Sequence, residues 1–392
     1  MVDLPPEVIT EILSRISVKY ILQLRCVSKP WRSLIDSIDF IHLQLQKSIE
    51  TKSNFGLILR KDYHLYYVDL DALDNAVEVT HPLMCYNNRI RILGFCNGLL
   101  CICNVAGDVA MWNLSTKKHR VLPFLPTGSN RESKMYFLGA RVYGFGFDSV
   151  NDDYKLVCIA QYIGLDYQSF ESEVKVYSLR KNAWQQIQDM PYVLCYSGKM
   201  GILVNGSLHW VVTRKLEPEE TELIVGFDIG TESFHEVPIP DSVNDHIEMS
   251  VWVLGEHLCI VVNYPNDDGV EVWVMKEYGV KESWTRLFKT EHTQGVGVGS
   301  GKNVMPLAYS KSGGEVLFEQ EHKKLVWYDL KSQRVKDVKV RGMPRSFEAV
   351  VCVGSLVPLT VGRGKNWKSH ESREDKNKKR DDFLSEGFKL VL

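Results

Sequence analysis

Eleven histidines and nine cysteines carry most of the metal-ligating and nucleophilic capacity of this 392-residue chain, and their spacing decides whether they can use it. No His-x-His or His-x-x-x-His pair occurs, and His235, His246 and His257 stand eleven residues apart, which is not the short fixed spacing a zinc site needs. Cys101 and Cys103 share one face of an apolar run with Cys96 just upstream, but there is no Cys-x-x-Cys turn and no second pair. They read as buried thiols. Ser207 and His209 have aspartates nearby, yet no Gly-x-Ser-x-Gly is present to raise a nucleophile on a strained turn. The glycine-rich "TQGVGVGSGKN" from Thr293 to Asn303 is followed by "VMPLAYS". A phosphate-cradling loop needs a helix N-terminus behind it, so this stretch reads as an inter-strand loop. The residues therefore call for no metal, no cofactor and no catalytic group.

The elements around these residues repeat. From Phe55 onward an apolar hairpin alternates with a strand of apolar-x-apolar-aromatic type ending in a polar stretch. The second element recurs as "LYYVDLDALDNAVEV" (Leu65), "MWNLSTKKHRVLP" (Met111), "VYSLRKNAWQQIQ" (Val176), "GFDIGTESFHEVP" (Gly226), "VWVMKEYGVKESWTRLF" (Val272) and "VWYDLKSQRVKDVKV" (Val326). Between aligned positions Leu70, Leu114, Leu179, Ile229, Met275 and Leu330 the steps are 44, 65, 50, 46 and 55 residues. Hairpins such as "GFCNGLLCICN" from Gly94 and "GILVNGSLHWVV" from Gly201 carry Asn97-Gly98 and Asn205-Gly206, dipeptides that tolerate the positive φ of a tight turn. Such a period predicts a mostly β chain built as a kelch-like propeller of about six blades. Two irregular sandwiches would explain the strands but not their fixed order. Trp112, Tyr177, Trp273 and Trp327 recur at one place in the motif and read as packing between blades. Longer joins at Pro126 to Arg141, Ile163 to Glu173, Lys215 to Glu222, Pro265 to Gly269 and Thr290 to Asn303 are candidate recognition loops.

Ahead of the repeats, Val8, Ile9, Ile12, Leu13 and Ile16 draw an apolar stripe, Tyr20, Ile21 and Leu24 begin another, and Val27, Trp31, Leu34 and Ile35 a third. Roughly 40 residues of helix cannot bury enough surface to stand alone. Either the propeller covers these stripes or a foreign groove does, and the pattern leaves both open. With 47 basic against 49 acidic residues the charge points to neither nucleic acid nor an anionic membrane. No run approaches the length of a membrane span. Scattered cysteines and a start, "MVDLPPEVITEIL", unlike a signal peptide lead to an expectation of cytoplasm and nucleus. After Leu359, Arg363 to Asp382 hold eight basic and five acidic residues, a solvated charged tail. The closing "FLSEGFKLVL" is apolar enough to dock back as a strand.

The stretch "LPPEVITEILSRISVKYILQLRCVSKPWRSLI" resembles an F-box, through Leu4, Pro5, Glu7, Ile12, Leu13, Val18, Lys19, then Arg25, Cys26, Val27, Lys29, Trp31, Arg32, Leu34 and Ile35, with Ser17 where the family usually has Pro. That resemblance implies docking on a Skp-type adaptor, and through it a cullin, by way of Leu4, Pro5, Ile9, Ile12, Leu13, Leu22 and Val27, with Trp31 turned inward. "YGFGFDSVNDDYKLV", "NGSLHWVV" and "VWVMKEYGVKESWTRLF" are similar to the F-box-associated propeller of a large plant family used for substrate recruitment. More narrowly, "LYYVDLDALDNAVEVTHPL" and "KRDDFLSEGFKLVL" resemble a plant subgroup. This implies clients among intracellular nucleotide-binding leucine-rich-repeat immune receptors, and restraint of defence. The expected organisation is an F-box over 1–45, a linker over 46–54, the propeller over 55–359 and the tail over 360–392. On this reading the chain is a non-catalytic receptor that supplies proximity. A scaffold without a degraded client, or a propeller enzyme, are the alternatives.

Overall fold

The computed structural model describes residues 4–84, 89–125, 136–217, 220–241, 243, 248–264, 269–289 and 304–359. Four helices come first: α1 (Pro6–Ser14), α2 (Val18–Leu24), α3 (Lys29–Ile35) and α4 (Ile38–Glu50). Pro6 opens α1, where a missing N–H costs nothing. The hydroxyls of Ser28 and Ser37 accept from the N–H groups of Trp31 and Phe40 and so start α3 and α4. Helix α4 continues to Glu50, through residues read from the sequence as linker.

Six sheets follow. The first holds β1 (Phe55–Lys61), β2 (His64–Asp69) and β3 (Ala76–Val79); the second β4 (Ile90–Cys96), β5 (Leu99–Asn104), β6 (Val109–Asn113) and β7 (His119–Val121). The third holds β8 (Tyr136–Asp148), β9 (Asp153–Gly164), β10 (Phe170–Ser178) and β11 (Ala183–Gln186). In the fourth, β12 (Val193–Leu194) and β13 (Ile202–Val204) both pair with β14 (Ser207–Thr213), followed by β15 (Leu223–Asp228) and β16 (Ser233–Val237). The fifth holds β17 (Glu248–Leu254), β18 (His257–Asn263), β19 (Val270–Met275) and β20 (Trp284–Lys289). The sixth holds β21 (Val304–Tyr309), β22 (Glu315–Gln320), β23 (Lys324–Asp329) and β24 (Val335–Val338). The last strand, β25 (Glu348–Val353), returns to the first sheet and pairs with β1, from Phe55 opposite Val353 to Arg60 opposite Glu348. All described pairs within the sheets are antiparallel, and the array is a six-bladed propeller closed by its two ends. Such closure gives β1 a partner on both sides and ties the first blade to the last strand of the ring. The hairpin read from Phe55 is therefore the second and third strand of its blade, whose innermost strand comes from the far end of the chain.

The turn signals hold in detail. Asn97 and Gly98 have φ of 51° and 85°, and Asn205 and Gly206 have φ of 49° and 74°, both residues of each pair left-handed as a tight hairpin demands. At Gly98 a side chain would also collide with Ser355. Trp112 and Tyr177 are wholly buried and Trp273 nearly so, filling space between blades as expected. In the sixth blade the buried residue at that place is Tyr328, while Trp327 on the opposite face of β23 is half-buried. The alternation of side chains along a strand separates the two. Cys96, Cys101, Cys103, Cys158, Cys259 and Cys352 are buried free thiols. Desolvation pushes Cys96 up to about 12 and Cys158 up to about 11. The stretch Thr293 to Asn303, the charged run from Arg363 and the apolar C-terminal end lie outside the described residues.

Candidate docking surfaces at the two ends of the propeller

The helices bury one side and leave another bare. Leu13, Val18, Ile21, Ile35, Phe40, Ile41 and Leu45 belong to a core cluster continuous with that of the propeller. Against it, Val8 and Ile12, four residues apart on one face of the first helix, are 41% and 49% exposed, and Leu4, two residues ahead of the helix, is 54% exposed. Val27, Tyr20 and Ile38 are exposed as well. Of the seven positions the resemblance implies for adaptor contact, Leu4, Pro5, Ile12 and Val27 are exposed, while Ile9 and Leu22 are half-buried and packed partly against the core. Leu13 is only 1% exposed. It is a core residue with no surface to offer a partner, because one step along a helix turns the side chain through about 100°. Trp31 is half-buried against the core, as expected. Val8 and Tyr20 were absent from the sequence-based set; the four-residue spacing of Val8 from Ile12 within one helix is the signal that points to Val8. Between α2 and α3 lies a cavity of about 550 Å³ lined by Leu22, Arg25, Cys26, Ser28, Lys29 and Arg32. Arg25 is held there by Asp36 at 2.7 Å.

Asn54 fastens the helices to the ring. Its side-chain oxygen accepts from the Val18 N–H at 3.1 Å, its amide donates to the Ser48 hydroxyl at 2.8 Å, and its carbonyl accepts from the Gly354 N–H at 2.7 Å. It sits at φ 62°, a conformation asparagine adopts more readily than most residues. Asn54→Ala leaves the start of α2 without its partner and strains the backbone. We expect a loss of about 2 kcal/mol in urea unfolding, with wild-type stability marking the bond as dispensable.

The strand directions sort the loops. Strand β25 ends at Val353 beside Asn54, β4 ends at the Asn97 turn whose carbonyl accepts from Ser355 Oγ at 2.8 Å, and β21 ends at Tyr309 under Lys52. Gly144 of β8 bridges in parallel to Gly201, immediately before β13. The innermost strands thus run toward the helices, and the tight first turns of the blades lie on that side. The connections from second to third strands, and from one blade to the next, emerge at the opposite end. All five candidate recognition stretches join strands of these two kinds, and the described strand ends they join lie on the face away from the helices. Residues 126–135, 218–219, 265–268 and 290–303 within them lie outside the described residues. Between the two faces a central cavity of about 770 Å³ is lined by the inner strands and by Ile49, Glu50 and Lys52 at the end of α4 and just beyond it.

Buried polar groups elsewhere join blades rather than form a reaction centre. Lys155 bridges Asp148 at 2.9 Å and Glu232 at 2.8 Å and donates to the Ile229 carbonyl, tying the third blade to the fourth. Ser207 and His209 sit at the start of β14. His209 Nδ1 lies 3.0 Å from the Ile202 carbonyl and Nε2 2.7 Å from the Tyr278 hydroxyl.

Comparison with known proteins agrees with this two-part architecture. The F-box domain family model matches residues 1–43, and that of the F-box associated beta propeller domain matches residues 56–359. F-box protein CPR1 of Arabidopsis thaliana is 37% identical over 424 residues, covering 100% of both chains. F-box protein At4g22390 of Arabidopsis thaliana is 31% identical, again over 100% of both. Among solved structures, an oligogalacturonate lyase in complex with manganese aligns at a TM-score of 0.39 and 12% identity, covering 70% of this chain and 69% of that one. With both domain models matched and a full-length relative at 37% identity, the chain belongs to the family of F-box proteins that carry an F-box-associated β-propeller.

Proposed function

We propose that this chain is the substrate-recognition subunit of a Skp–cullin–F-box ubiquitin ligase, with the exposed apolar side chains of its helices seated in a groove of a Skp-type adaptor. The observation that carries this reading is the division of the first helix: Leu13 is buried in the chain's own core, while Val8 and Ile12 are left outside it, with Leu4 exposed just ahead of the helix. A pair of bare aliphatic residues one turn apart is what a helix offers to an apolar groove. The docking set is then Leu4, Pro5, Val8, Ile9, Ile12, Leu22 and Val27, without Leu13. Clients would meet the propeller on the face away from the helices, where the long connections gather on a rigid scaffold. The chain's contribution is to hold a client lysine near the conjugating enzyme, a gain in effective concentration rather than acid–base chemistry. The subgroup likeness favours intracellular nucleotide-binding leucine-rich-repeat immune receptors as clients, met in cytoplasm or nucleus, with restraint of plant defence as the outcome. Capture of purified adaptor by wild type and by Val8→Asp with Ile12→Asp tests the docking step. A drop of roughly tenfold or more is expected, and equal capture by both would remove the basis for the ligase assignment.

A further inference from the structure

We propose that the helix-side half of the central channel is a binding site for a small molecule, a neutral and largely apolar ring compound. Its volume of about 770 Å³ falls within the range of about 300–1,000 Å³ that ligand pockets occupy. All six blades wall it, through residues near the helix-side ends of their innermost strands: Val351 of β25, Phe95 of β4, Phe145 of β8, Leu203 of β13, Trp252 of β17 and Tyr309 of β21. Ile49, Glu50 and Lys52 close one side. The turns that leave these inner strands at this end, residues 97–98, 149–152, 205–206, 255–256 and 310–314, are all among the described residues.

The wall is aromatic, and its rings are not enclosed. Phe55, Phe95, Trp252, Tyr309 and Trp327 border the cavity half-buried, and Val253 beside them is exposed. The rings between blades, Trp112 and Tyr177 among them, are by contrast wholly buried. Apolar rings around a hole forgo dispersion contacts and keep their area in water, and an occupant of like polarity restores both. Two of the walls also leave regular pairing beside the cavity. The register shifts between Ile92 and Gly94 in β4 and between Pro306 and Ala308 in β21. Bulges of this kind re-aim side chains and recur next to binding sites.

Where the charges sit selects the occupant. Glu50, Lys52, Asp71, Glu256 and Lys311 line the cavity with both signs together, and all five are exposed. Lys311 pairs with Asp71 at 2.8 Å, and Lys47 with Glu50 at 3.6 Å. Lys52 and Lys199 stand over the Tyr309 and Trp252 rings, each 5.8 Å from the centroid. None of the charged side chains that line the cavity is buried in its aromatic wall, so an ionic ligand would give up its water there without a partner. A neutral ring compound meets no such cost. The Lys52 ammonium and the Tyr309 hydroxyl, neither hydrogen-bonded among the described residues, can donate to one oxygen of the ligand.

The test uses the full chain and prodan, a neutral naphthalene with a carbonyl oxygen whose emission moves to shorter wavelength in apolar surroundings. Saturable one-to-one binding is expected, roughly tenfold or more tighter than that of 6-dimethylamino-2-naphthoate, which carries a carboxylate in place of the ketone. Val253→Trp fills the hole from an exposed position and should weaken prodan by roughly tenfold or more. Trp252→Leu removes a ring from the wall and should weaken it by a smaller factor. Amide exchange on the wild type locates the probe without any variant: saturating prodan should slow exchange over residues 252–257 and 307–311. Protection confined to the opposite end of the propeller would overturn the proposal. So would equal affinity for the naphthoate, prodan binding that Val253→Trp leaves unchanged, or no saturable binding by the wild type. Adaptor capture enters none of these measurements, so the ligase reading stands or falls separately.

Discussion

Leu13→Asp is expected to unfold the helical domain, whereas Ile12→Asp, one residue away, should leave it folded and remove adaptor capture. Leu13 is 1% exposed in a cluster with Val18, Ile21, Ile35 and Phe40. Truncating such a leucine costs about 2–5 kcal/mol, and a buried, unpaired carboxylate costs more. A domain of this size has no reserve of that order. Ile12 is 49% exposed, so a carboxylate there keeps its water and perturbs the fold by less than about 1 kcal/mol. In a partner's apolar groove the same carboxylate would be stranded. Amide hydrogen exchange over residues 18–45, read beside adaptor capture, separates the two effects. Rapid exchange in Leu13→Asp with native exchange and lost capture in Ile12→Asp is the expected pattern. Native exchange in Leu13→Asp would show that the helices do not depend on that side chain, and the division of the first helix into inner and outer faces would fail with it.

The same pair of residues shows where a sequence stops being legible. The spacing of Val8, Ile9, Ile12 and Leu13 marks a helix with a broad apolar stripe, but two surfaces share that stripe, one facing the chain's own core and one facing outward. Only the packing of α1 against its neighbours divides them. The propeller was legible in its period, its Asn-Gly turns and its buried aromatic positions, because these are local requirements of each blade. Ring closure was not, since the pairing of β25 with β1 joins residues nearly 300 apart, as Arg60 with Glu348 shows, and leaves no local mark on either strand. The five long connections were visible as stretches, but that the described strand ends they join lie on one face follows from strand direction, which a list of hairpins does not contain. In the sixth blade Trp327 and Tyr328 are adjacent aromatics. Trp112, Tyr177 and Trp273 each stand two residues before their aligned position, and the residue two before Leu330 is Tyr328, so the repeat itself marks the enclosed ring and Trp327 is one place out of register.

Acid should weaken the propeller through His209, by about 3 kcal/mol between pH 6.5 and pH 4. The hydrogen bonds around this buried ring have one consistent direction. Nδ1 faces the Ile202 carbonyl at 3.0 Å and must carry the proton, so Nε2 accepts from the Tyr278 hydroxyl at 2.7 Å. The Tyr278 oxygen then accepts from His235 Nε2, 2.9 Å away, which ties β14 and β16 of the fourth blade to the connection after β19 of the fifth. A second proton on His209 would break this order and leave a charge enclosed, and desolvation accordingly pushes its pKa down to about 4. In the unfolded chain an ordinary histidine takes up its proton near pH 6.5. Between those two values the unfolded state binds more protons, so the contribution of neutral His209 is complete above pH 6.5 and is lost as pH falls toward 4. His81, also shifted down by burial, acts with the same sign, whereas His322, raised by its bond to Glu319, acts with the opposite one. Comparison with His209→Gln cancels both, because neither residue contacts His209 through a hydrogen bond described here. Urea midpoints taken at pH 7.5 and 5 should fall further for the wild type than for His209→Gln. Parallel declines in the two proteins would mean that His209 titrates alike folded and unfolded, and that the chain through Tyr278 does not hold it neutral.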